Sequence, residues 1–223
     1  MHGAGNSDRP QPMPYSLAIF DLDGTLADSF PWFLRIVNTV ADKHGFRRIA
    51  DHEIAPLRDK GSREIVRFFG VPAWKLPIIA RDMRRMKSAH LADIPLFPGV
   101  DDMLARLSAK GVVTAMVSSD HEANVRAALG PRNAALVSHY ACGASLFGKA
   151  RNFNRVLKAA GVPAAQAIAI GDEVRDLEAA RKAGIAFGAV TWGYASPQAL
   201  RARAPDAVFE SFDDIVAALG PRR

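Results

Sequence analysis

The sequence predicts an α/β fold: a parallel sheet with helices on both faces, and an all-helical segment inserted after the first strand. Three observations predict it. From residue 99 onward, short apolar runs alternate with amphipathic stretches, as strands and helices do in a parallel sheet. A further apolar run, LAIF, stands far upstream of these. Between them, from about Ser29 to Leu96, the chain is nearly free of strand signals.

Taken in order, Leu17 to Phe20 is the first strand, stopped by two carboxylates, Asp21 and Asp23, with Gly24 and Thr25 behind them. The insertion reads as helical through FPWFLRIVNTVADKHG, ADHEIAPLRDKGSREIVRFFG and VPAWKLPIIARDMRRMKSAHL. Gly99 to Gly111 has helical periodicity and ends on glycine, and Val112 to Ser119 reads as a buried strand. HEANVRAAL is a helix, AALVSHY a weak strand, ARNFNRVLKAAG a helix and AIAIGD a second fully apolar strand. EVRDLEAARKAG follows as a helix, IAFGAVTW as a strand, and SPQALRAR as a helix with Pro197 in its first turn. A short strand at Ala207 to Phe209 and a helix through DDIVAAL complete the order. Runs as apolar as AIAI suit a sheet buried on both faces. The expected organisation is a flexible polar tail over 1–14, a core formed by 15–28 and 97–223, and a helical domain over 29–96.

Composition narrows the function classes. No apolar run approaches the ~18 residues a membrane span needs. The tail MHGAGNSDRPQPMP lacks the apolar segment of a signal peptide, and the single Cys142 cannot form an internal disulfide, so a cytoplasmic protein is expected. The net charge of +6 raises the question of nucleic acid, but the basic residues are scattered. The densest cluster, Arg81 to Lys87, reads as a solvated helix face with Arg81 and Arg85 four apart, or else as an attractor for an anionic substrate. Zinc-finger spacing and interleaved aromatics are both lacking, so nucleic acid is not an expected partner. The sequence is silent on oligomeric state.

Four polar positions fall at strand ends or a helix start, where open parallel sheets bind ligands. They are Asp21 with Asp23, Ser118 with Ser119, Lys149 in FGKARNF, and GDEVRD, which supplies Asp172, Glu173 and Asp176. Each has a plainer alternative. The Asp-x-Asp-Gly-Thr run reads also as a capped turn, Ser118 or Ser119 as the N-cap of the helix near His121, Lys149 as a surface lysine, and Gly171-Asp172 as a strand-to-helix turn. As a set they supply what phosphoryl transfer through a covalent intermediate requires. A carboxylate attacks phosphorus, a second acid moves the proton, a hydroxyl and a lysine hold phosphoryl oxygens, and further carboxylates hold a hard cation such as Mg2+.

These four motifs, in this order over roughly Leu17 to Leu219, resemble those of the haloacid dehalogenase superfamily. Among its members the chain is similar to phosphoglycolate phosphatase-like enzymes with a helical cap. The resemblance implies a Rossmann-like core and a Mg2+-dependent phosphatase acting on a small phosphorylated metabolite. It implies Asp21 as nucleophile and metal ligand, and Asp23 as acid–base with a metal-binding backbone carbonyl. Thr25 and Ser118, with Ser119 beside it, would bind phosphate, and Lys149 would bind phosphate and order Asp21. Asp172 would hold Mg2+, supported by Asp176 and Glu173. Arg58, Lys60, Ser62 and Arg63 lie where capped relatives carry a specificity loop; Ser62 reads equally as a helix cap. A phosphomutase, a 2-haloacid dehalogenase and a non-catalytic binding protein are the rivals. Halide leaves without a proton, so Asp23 argues against dehalogenation. The histidines lack ligand spacing. Trp32, Trp74 and Trp192 read as packing residues, and Phe30, Trp32 and Phe33 as candidates to line the pocket at the insertion's start.

Overall fold

The computed structural model describes residues 15–143 and 148–220. The polar tail and the Phe147 of FGK lie outside the described residues. Six parallel strands form one sheet in the order β3-β2-β1-β4-β5-β6. They are β1 (Leu17–Phe20), β2 (Val113–Met116), β3 (His139–Tyr140), β4 (Ala167–Gly171), β5 (Ala186–Val190) and β6 (Ala207–Phe209). The fully apolar β1 is central, pairing Leu17 with Val113 on one side and with Ala167 on the other.

Strand alternation sends β1 to two cores. Ala18 and Phe20 pack with α5 (Val100–Ala109), α6 (Glu122–Leu136) and α10 (Phe212–Ala218), through Met103, Leu104, Val125, Leu129, Ile215 and Val216. Leu17 and Ile19 pack on the other face with Phe153 and Val156 of α7 (Lys149–Ala160), Leu177 of α8 (Val174–Ala183) and Leu200 of α9 (Pro197–Arg201). A sheet covered on both faces leaves its strand ends as the place for ligands.

Between β1 and α5 lie four helices: α1 (Phe30–His44), α2 (Asp51–Arg58), α3 (Ser62–Phe68) and α4 (Leu76–Ala89). Asp82 ties α4 to α1 by accepting from Lys43 and His44 at 2.7 and 3.0 Å. The chain leaves and rejoins the sheet side by side. Asp28 N donates to Pro95 O and Phe97 N to Leu26 O, both at 2.9 Å, so the two crossings are bonded to each other. Among the described residues no helix is long and apolar enough to cross a membrane.

The structure departs from the sequence reading in four places. AALVSHY opens as helix: α6 breaks at Gly130 (φ 72°) and restarts at Pro131 through Leu136, so only His139 and Tyr140 pair as β3. Pro131 suits the first turn of that second stretch, a signal that the apolar run masked. Neither Ser118 nor Ser119 caps α6; His121 is the capping position, without a side-chain cap bond. Ser62 is the first residue of α3 and not its cap, which is Gly61, whose N–H donates to the Glu64 carboxylate. Trp74 is 67% exposed on the insertion's surface and not a packing residue.

Candidate active site

The carboxyl end of β1 delivers Asp21 into the interior, where Leu22 N donates to its Oδ1 at 2.8 Å. Beyond β4, the neighbouring strand, lies Asp172, wholly buried. Its two oxygens accept from Thr25 Oγ1 and from Tyr194 N, both at 2.8 Å. Asp176, in the first turn of α8, is also buried. Side-chain oxygens of these three aspartates lie within 4.8 Å of one another.

Lys149, the first residue of α7, is buried and reaches across to the cluster. Its Nζ donates directly to Asp21 Oδ2, and to Asp176 Oδ1 at 2.6 Å. Burial works against the ammonium charge, but Asp176 and Asp21 outweigh it and hold the Lys149 pKa above its usual range. The carboxylates show the opposite strain. Burial is the largest influence on Asp21, pushing it up to about 6 although Lys149 pulls it down. Asp172 is raised well above the ordinary carboxylate range, first by burial and then by Glu173, Asp21 and Asp176.

Three buried carboxylates with one lysine among them are short of positive charge, and Asp176 Oδ2 is buried with no hydrogen-bond partner. An all-oxygen donor set with an orphaned oxygen fits a hard divalent cation. The surrounding backbone is shaped tightly to it. A Cβ on Gly193 would stand 2.1 Å from Asp172 Cβ, and one on Gly24 (φ +73°) would stand 2.2 Å from Asp172 Oδ2.

Asp23 does not join this cluster with its side chain. Both of its oxygens accept from Lys87 Nζ of α4, at 2.6 and 2.8 Å, and Asp120 Oδ2 lies 3.1 Å from the same nitrogen. The two carboxylates that end β1 therefore face different partners. Ser118, buried after β2, accepts from Asp120 N through its hydroxyl, and Ser119 is half-buried with its carbonyl accepting from Arg84.

A family model described as haloacid dehalogenase-like hydrolase matches residues 18–190, most of the chain. The chain belongs to the haloacid dehalogenase-like hydrolase family. It is an enzyme of that hydrolase family. A phosphoglycolate phosphatase of Synechococcus elongatus is 35% identical over 90% of this chain and 95% of its own. One from Xanthomonas campestris is 33% identical over 79% and 83%. In fold, the chain is similar to a putative phosphoglycolate phosphatase from Lactobacillus plantarum, with a TM-score of 0.79, 20% identity and coverage of 93% and 100%. It is also similar to CbbY from Rhodobacter sphaeroides, solved in complex with phosphate, with a TM-score of 0.69, 23% identity and coverage of 90% and 96%.

The hydrolase chain places its remaining candidates unevenly. Glu173 pairs with Arg175, beside the cluster. Thr25 spends its hydroxyl on Asp172. Arg58 faces the core loop: its guanidinium donates to the carbonyls of Tyr194 and Gly193 at 3.0 and 2.8 Å and lies 5.3 Å from the Phe30 ring centroid. Lys60 is exposed, 3.9 Å from Glu64, and Ser62 and Arg63 occupy the first turn of α3. Phe30 and Phe33 pack on Tyr194, with centroids 4.9 and 5.7 Å away, while Trp32 is buried in the core.

Sequence reasoning missed Lys87, Asp120 and Tyr194. A signal existed for the first. Ile79, Met83 and Met86 form the apolar stripe of α4, and Lys87, eight residues after Ile79, falls on it. For Asp120 and Tyr194 there was none, since each gains its role from a segment distant in sequence.

Proposed function

We propose that this hydrolase is a Mg2+-dependent phosphatase of small phosphorylated metabolites, with phosphoglycolate as the first substrate to test. What supports the reading is the division of labour between the two carboxylates ending β1. Asp21 sits among cation-binding carboxylates and Lys149, while Asp23 is held apart from them by Lys87. The match to a phosphoglycolate phosphatase over 90% of this chain and 95% of that relative supports the substrate.

In this reading an Asp21 oxygen attacks phosphorus and the bond to the leaving oxygen breaks, giving an aspartyl phosphate. Asp23 hands a proton to that leaving oxygen, then takes one from the water that attacks the acyl phosphate and releases inorganic phosphate. Lys149 offsets the charge on Asp21 and on the phosphoryl oxygens, which Ser118 and Ser119 help to hold. Asp21, Asp172 and Asp176, with the Asp23 carbonyl, would hold Mg2+, which when bound supplies charge to neutralise the phosphoryl group. Residues 29–96 act as a cap that excludes water from the reaction.

The experiment is release of inorganic phosphate from a panel of phosphorylated metabolites with Mg2+. Turnover of phosphoglycolate that EDTA removes is expected. Rates indifferent to EDTA, or release from no member of the panel, would refute the reading.

A further inference from the structure

We propose that Lys87 is the positioning residue through which the helical insertion aligns Asp23 for proton transfer, so that the acid–base geometry is completed only when α4 is seated on the core. The proposal rests on the phosphatase reading above, in which Asp23 moves the proton.

Lys87 is a lysine only 5% exposed, on a helix outside the sheet. Burying an ammonium ion is expensive unless it is paired and hydrogen-bonded, and here one nitrogen donates to both oxygens of Asp23 and stands 3.1 Å from Asp120 Oδ2 as an ion pair. The Asp120 end is fixed. Its Oδ1 accepts from His121 N at 2.7 Å and from Asn124 Nδ2 at 2.8 Å. Two further contacts seat the same helix on the loop after β2 and on α6: Arg84 donates to Ser119 O at 3.3 Å, and Asn124 donates to Ser88 Oγ at 2.6 Å. Asp120 therefore anchors Lys87, and Lys87 in turn orients Asp23.

Among the described residues, Lys87 is the hydrogen-bond donor to the Asp23 carboxylate, and it donates to both oxygens. A short side chain gripped at both oxygens has one orientation; released, it rotates about two bonds. Proton transfer needs the acid within hydrogen-bond reach of the leaving oxygen, and a displacement of about 1 Å can cost about 100-fold.

The test compares kcat/KM of Lys87→Met with the wild type on three esters with Mg2+: p-nitrophenyl phosphate, glycerol phosphate and phosphoglycolate. p-Nitrophenolate leaves without a proton, the two alkoxides do not, and of the alkyl esters only phosphoglycolate adds a carboxylate. A fall of roughly 30-fold or more is expected on both alkyl esters, against less than about fivefold on the aryl ester. Lys87→Arg should recover most of the alkyl rate, and Asp120→Asn should show the same discrimination more weakly. An equal fall on all three esters would mean a merely structural role and overturn the proposal. A fall confined to phosphoglycolate would make Lys87 a substrate anchor and overturn it too. Should Lys87→Met not fold, Asp120→Asn and Lys87→Arg decide: uniform rates across the esters in both would be just as fatal. A wild type inactive on every ester refutes the phosphatase reading itself and takes this proposal with it.

Discussion

Asp21 and Asp23 are two residues apart in one loop, yet they meet different partners. Asp21 shares buried space with Asp172 and Asp176 and is bonded by Lys149. Replacing it with Asn keeps the shape while removing the proposed nucleophile, so Asp21→Asn should lose more than about 10^4 in kcat with an unchanged circular dichroism spectrum. Near wild-type turnover in that variant would exclude covalent catalysis at this position. Gly24 is constrained in a different way. Its φ of +73° and the 2.2 Å approach of Asp172 Oδ2 leave no room for a methyl group. Gly24→Ala should destabilise the fold by about 1–3 kcal/mol, measured by urea unfolding, because both the backbone and the packing resist it. The motif residues were singled out in the sequence because their types and spacing match what phosphoryl transfer requires. Lys87 left only a fainter trace, its place on the apolar stripe of α4, and a lysine in a run of basic residues looks solvated until the tertiary fold covers it.

At the scale of elements, the strands after residue 99 were readable where an apolar run stood between amphipathic stretches. β4 and β6 are where the pattern put them; β4 is buried along its whole length, and a strand buried on both faces has few alternatives. α6 was misread because Gly130 and Pro131 punctuate it, and the apolar residues beyond look like a strand when periodicity alone is used. The C-terminal end of α2 carries a more specific expectation. Arg58 holds the carbonyls of Gly193 and Tyr194, and the Tyr194 N–H orients Asp172. Arg58→Ala should therefore weaken metal binding several-fold without touching a metal ligand, read as a higher Mg2+ midpoint in thermal shift. An unchanged midpoint would show that Asp172 keeps its orientation without this contact.

For the whole molecule, a cation that binds the folded state and not the unfolded chain adds stability by mass action. At 100 times its Kd, Mg2+ should stabilise the protein by about 2.7 kcal/mol. In a chain of this length that corresponds to a rise in Tm of roughly 5–10 °C, removed by EDTA and absent from Asp172→Asn. A wild-type Tm indifferent to Mg2+ would count against the cluster as a metal site.

The sequence by itself determined the parallel α/β core, the helical insertion after β1 and the four polar motifs at strand ends and a helix start, because periodicity and motif spacing are local properties. Only the tertiary structure decided which carboxylates share a site. Asp176 turned out to lie beside Asp21 and Asp172, Asp23 turned to Lys87, and Arg58 faced the core loop instead of open space. Those pairings join residues up to 155 positions apart, as with Asp21 and Asp176 in one cluster, and no local pattern records which distant charge will meet a buried side chain. The cost of burying unpaired charge selects the partner, and it acts only once the chain has folded.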